Sequence, residues 1–180
     1  MFRRSIVQVV LLLLLLSAGK SAQATSLDAA RAAKLVNKPA REDAEALLDM
    51  LLSFAKHQLE KNGEFFPFGA AVLPTGRLAA VAVKPTEERP PSQKVIDDLL
   101  QAFRAGARKQ MYLATGMAID VRTIPPGETQ KTDAVEVRLD DVSGYSVHVV
   151  VPYKLVNRVV TFGTPFATAG DNDVFPHSVH

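Results

Sequence analysis

Residues 64–84 constrain the fold of this chain more than any other stretch. Two uncharged apolar runs, residues 68–73 and 78–83, flank Pro74, Thr75 and Gly76. Proline presets φ for a turn and glycine supplies a left-handed position, so a tight hairpin is predicted. Apolar residues fill odd and even positions alike, and alanine is frequent. A strand of that kind is covered on both faces, and its small side chains let a neighbour pack closely. The hairpin is therefore expected at the centre of a sheet, with a helix against it.

Residues 1–24 have the three parts of a secretory leader. Arg3 and Arg4 open it, an apolar run with six consecutive leucines follows, and Ala22 and Ala24 stand before Thr25. Small residues at those two positions suit the cleaving peptidase, and the run is short for a permanent anchor. The chain has no cysteine, so neither a lipid-modified cysteine nor a disulfide can form, and stability must come from burial. Loss of Arg3, Arg4 and Lys20 with the leader turns 21 basic against 19 acidic residues into a near-neutral balance. No general attraction to nucleic acid or anionic membrane follows from such a surface. A periplasmic or secreted protein is expected, with no stable membrane insertion after cleavage.

After an alanine-rich leader segment, residues 25–39, the chain reads as one domain over residues 40–161. Ala44, Leu47, Leu48, Leu51, Leu52, Ala55 and Leu59 form one helical stripe, and Asn62-Gly63 stops it. His57 falls near that helix end as a solvated side chain. Beyond the hairpin and a charged, proline-rich loop, Ser92 can cap a second helix over residues 93–113. Val95, Ile96, Leu99, Leu100, Phe103, Ala107 and Met111 are its apolar stripe; Arg104, Arg108 and Lys109 suit its carboxyl end. Residues 116–124, 133–139 and 145–151 then alternate as three strands with one apolar and one polar face. Residues 162–180 have no periodicity and are expected to be irregular. Leu51, Val81, Leu99, Phe103 and Val137 are expected to be buried together.

The order is helix, two strands, helix, three strands: an α+β domain with a five-stranded antiparallel sheet. That order over residues 40–153 resembles the profilin-like domains, including the roadblock and longin groups. The resemblance implies a module that binds partner proteins, small ligands or a second copy of itself. It assigns no functional residue.

Chemical motifs are absent. There is no nucleophile elbow, phosphate loop, dinucleotide glycine pattern or paired helical histidine motif, and a cysteine nucleophile is excluded. His177 and His180 with Asp171 and Asp173 could hold a metal only adventitiously, so neither metal nor cofactor is expected. Two constellations remain. If the last three strands are neighbours, their polar faces gather Asp120, Arg122, Glu136, Arg138, Ser146 and His148. A histidine near carboxylates and a serine is raw material for acid–base chemistry, and charges on adjacent strands equally pair for solubility and register. The second is Phe65, Phe66 and Phe68 opposite Tyr153, mostly core, where one exposed ring would mark a binding patch. Candidate ligand contacts are therefore Phe66, Phe68, Tyr153, His148, Asp120 and Glu136. The favoured function is a non-enzymatic binding or interaction module, with a homodimer among its expected forms. A hydrolase- or isomerase-like enzyme built on His148, Asp120 and Glu136 is the alternative. A structural subunit of an envelope assembly is a third and expects a large apolar patch.

Overall fold

The computed structural model describes residues 40–83 and 89–175; the leader and residues 25–39 lie outside them. Helix α1 occupies residues 40–62. Strands β1 (Phe68–Val72) and β2 (Leu78–Val81) follow, then helix α2 (Ser92–Arg108). Strands β3 (Ala114–Thr123), β4 (Thr132–Asp141), β5 (Ser146–Val156), β6 (Val159–Phe162) and β7 (Phe166–Ala169) complete the chain. The fold is α+β, as the periodicities imply, with an open antiparallel sheet.

The sheet has seven strands rather than five. Its order is β2-β1-β3-β4-β5-β6, with β7 also paired to β5. Strand β5 runs past Val151 to Val156 and turns back through Asn157 and Arg158, both left-handed at φ 51° and 62°. Two successive left-handed residues match the twist of a two-residue hairpin, which accounts for β6. Tyr153 pairs with Phe162 and Val147 with Ala169, so β6 and β7 share one edge of β5 with a one-residue shift between them. Gly163, Thr164 and Pro165 make that break. Residues 162–175 are thus less irregular than their composition implies.

The hairpin is also not central. It turns where expected: the Leu73 N–H donates to the Arg77 carbonyl at 2.9 Å, and Gly76 is left-handed at φ 77°. However, β1 lies between β2 and β3, which leaves β2 as an edge strand among the described residues. β1 is buried after Phe68, whereas Leu78 and Ala80 of β2 are exposed.

The helices cover opposite faces. Leu47, Leu51, Ala55 and Leu59 of α1 pack on Ala70, Val72, Ala118, Val135, Val137 and Leu139. Val95, Ile96, Leu99 and Phe103 of α2 pack on Met117 and Ile119 with Val174 and Phe175. The five residues expected together therefore divide: Leu51 and Val137 on the α1 face, Leu99, Phe103 and the partly buried Val81 on the α2 face. Small residues let both helices close in. A Cβ at Gly69 would lie 2.5 Å from the Phe103 ring, and one at Gly116 would lie 2.7 Å from Leu51. Helix α2 begins at Ser92, preceded by Pro91 with no side-chain cap, and ends at Arg108. Left-handed Gln110 (φ 56°) then turns the chain into β3.

Candidate functional site: an apolar cleft at the sheet edge

Strand register divides the polar constellation. Ile119 pairs with Glu136 and Met117 with Arg138, while Asp120 pairs with Val135. Directly paired residues in an antiparallel ladder point to the same face. Glu136, Arg138, Ser146 and His148 therefore lie on the α2 side, and Asp120 and Arg122 on the α1 side. The alternation within each strand is as expected, but β3 is in opposite phase to β4 and β5.

On the α2 side, Arg138 donates to Glu136 at 2.9 Å, and His148 Nδ1 lies 3.6 Å from the same carboxylate. Ser146 donates to Asp140 at 2.6 Å. The segment after β7 runs over this cluster. The Asn172 N–H donates to Ser146 Oγ at 3.1 Å, and Arg104 donates to the Asp173 carbonyl at 2.6 Å. Burial pushes the Asp140 carboxyl up from its ordinary value; the Ser146 hydroxyl and the Val174 N–H oppose the shift. The space left among Leu100, Phe103, Arg138, His148 and Val174 is about 10 Å³, too small for a substrate.

On the α1 side the Tyr153 hydroxyl donates to Asp120 at 3.0 Å. Burial, and then the Asp120 charge, push the phenol far up. Burial also raises Asp120, against the pull of the Tyr153 hydrogen bond. Tyr153 is only 7% exposed and belongs to the α1 core, so it forms no open patch. Phe65 and Phe68 pack against that same core. Phe66 does not: it is 46% exposed, as is Phe54 of α1.

Those two rings stand at a cleft of about 420 Å³. Met50, Leu51 and Phe54 of α1 form one wall, and Val95, Leu99, Lys94 and Asp98 of α2 form the other. The floor is Gly69 with Ala80, Val81, Ala82 and Val83, and Phe66, Pro67 and Phe68 close one end. The polar side chains in this lining are Lys94 and Asp98, joined at 2.8 Å. The volume and apolar lining with few polar groups are those of ligand sites. Of the residues singled out from sequence, Phe66 and Phe68 reach this cleft; Tyr153, His148, Asp120 and Glu136 do not.

Among the described residues no three metal-ligating side chains converge, and no helix is long and apolar enough to cross a membrane. No protein-family model, curated protein or solved structure matches this chain.

Proposed function

We propose that this chain is an exported, non-enzymatic binding module whose ligand occupies the cleft between α1, α2 and the edge of β2. The observation that carries this reading is the cleft itself, an apolar recess flanked by the half-exposed rings of Phe54 and Phe66. Exposed aromatic rings around an apolar recess offer binding energy that a purely structural surface would not keep in water. The leader at residues 1–24 supports export, and the near-neutral charge without it supports a partner other than nucleic acid.

Titration with an environment-sensitive naphthalene dye tests the site. Saturable dye binding is expected. Ala80→Trp, which fills the recess from an exposed position, should weaken it by about tenfold or more, equivalent to roughly 1.4 kcal/mol. The variant should keep its unfolding midpoint. Unchanged dye affinity in a folded Ala80→Trp protein would move the binding site elsewhere.

A further inference from the structure

Strand β2 has the sequence of a covered strand and the position of an uncovered one. Residues 78–83, Leu-Ala-Ala-Val-Ala-Val, carry no charge, proline or glycine. Natural sheets guard free edges with charges, prolines, bulges or breaks. The opposite edge does so: β6 and β7 are separated by Gly163, Thr164 and Pro165, and their register shifts by one. Among the described residues nothing covers the β2 edge, and Leu78–Val81 itself holds no charge, proline or bulge, only a short length and Arg77 before it. Where local sequence and position disagree in this way, a functional role is the usual reason.

The backbone is arranged to accept a strand. The Leu73–Arg77 hydrogen bond fixes the alternation of the ladder, so Ala79 and Val81 bond to Ala71 and Gly69. Leu78 and Ala80, with Ala82 in the same phase, turn their N–H and C=O groups away from β1. The cleft opens at the carboxyl end of that edge, where Ala80, Val81, Ala82 and Val83 meet Phe68 and Gly69 of β1, with α1 on one side and α2 on the other. Ala80 and Ala82, whose backbone groups turn away from β1, both line it. An acyl chain laid there would strip water from these backbone groups without replacing its hydrogen bonds, which disfavours it. A polypeptide strand would satisfy them.

Charge marks both ends of the slot. Arg77 immediately precedes β2. Arg89 lines the adjoining recess with Phe54, Phe66 and Phe68. Neither arginine has an ion pair among the described residues. Both are exposed.

Resting on the cleft as the binding site, we infer that its occupant is an extended segment of a partner polypeptide. It adds to the sheet as a strand beside β2, places apolar side chains in the cleft, and carries acidic residues at its flanks toward Arg77 and Arg89. Backbone pairing supplies affinity and the cleft supplies selectivity for alternate side chains.

The test uses a labelled peptide of alternating valine and serine with an aspartate at each end, followed by fluorescence anisotropy. Saturable binding is expected, with affinity falling as salt rises. Methylating the peptide's amide nitrogens on the pairing side should weaken binding by about tenfold or more, since it removes donors without removing apolar surface. This control leaves the protein untouched, so it stands even if a variant fails to fold. Ala80→Pro should weaken binding similarly, because an edge strand tolerates proline where its N–H faces solvent. Arg77→Glu combined with Arg89→Glu should weaken it and reverse the salt dependence. Equal binding of the methylated peptide would overturn the inference. So would binding of laurate and the naphthalene dye without the peptide, although the cleft would survive as a ligand site. If dye, laurate and peptide all fail to bind, both readings fall. Concentration-dependent dimerisation that Ala80→Pro abolishes would make a second copy the occupant and also overturn the inference.

Discussion

Asp120 and Tyr153 show how one residue's environment sets its charge. Partial burial of Asp120 disfavours its ionised form, and the Tyr153 hydroxyl offsets part of that cost by donating to it. Tyr153→Phe keeps the ring and removes the donor. It should cost about 1–2 kcal/mol at neutral pH, as a half-buried carboxylate loses its partner, and the cost should shrink once Asp120 is protonated. Asp120→Asn is expected to act in the opposite direction. The folded protein holds the Asp120 proton more tightly than the unfolded chain does. That contribution to stability is complete below the ordinary carboxylate value of 3.8 and is lost as pH rises through the higher folded value. Asparagine does not ionise and can still accept from Tyr153. Its advantage should therefore grow with pH across this window and stay below about 1 kcal/mol, because solvent screens the site. Urea denaturation of both variants at acid and neutral pH checks each sign.

Two helices on opposite faces of one sheet make two separate cores. Leu47 is fully buried under α1, and Leu99 is buried under α2. Each leucine-to-alanine change should cost about 2–5 kcal/mol. The double variant should equal the sum within about 0.5 kcal/mol, because the sheet separates the sites. A larger coupling, measured by chemical denaturation, would mean that the clusters share a relaxation path. This separation also explains what the sequence could convey. The 3.6-residue stripes of both helices and the turn at Gly76 are legible, since each is a local pattern. The phase of β3 is not. Both faces of the sheet receive a helix, so Met117 and Ile119 can face α2 while Val135 and Val137 face α1, and alternation alone cannot choose. Strand β6 was missed because its turn uses Asn157 and Arg158 without glycine. Arg158 compensates by donating to the Lys61 carbonyl at the end of α1 at 2.5 Å. The cleft was half legible. Its aromatic end was visible in Phe66 and Phe68, but its walls come from segments far apart in sequence. The uncharged run over residues 78–83 is the available signal, and its evenly apolar pattern fits central burial equally well.

At the scale of the whole molecule, the two edges of the sheet are treated differently, and the end of the described chain belongs to that difference. After β7 the chain leaves the β5 edge and crosses onto the α2 face. Gly170 permits the crossing, since a Cβ there would lie 2.1 Å from Ser146 Oγ. Val174 and Phe175 then enter the α2 core beside Val95, Ile96, Leu99 and Phe103. Arg104 and Asn172 hold the path by hydrogen bonds, but the Arg104–Asp173 contact is exposed. Apolar burial should therefore dominate. Arg104→Ala should cost less than about 1 kcal/mol, and Phe175→Ala about 3 kcal/mol. Ending the chain at Gly170 removes both buried side chains and the Val174 N–H that Asp140 accepts. It should cost roughly 3–5 kcal/mol and uncover the side chains of Glu136 and His148. Urea denaturation gives the energies, and protection of α2 amides from hydrogen exchange reports where they act. Loss of protection in α2, with α1 unchanged, is the expected pattern. If Phe175→Ala costs below about 1 kcal/mol and leaves α2 protected, the segment merely lies on the surface and α2 is held by the sheet alone.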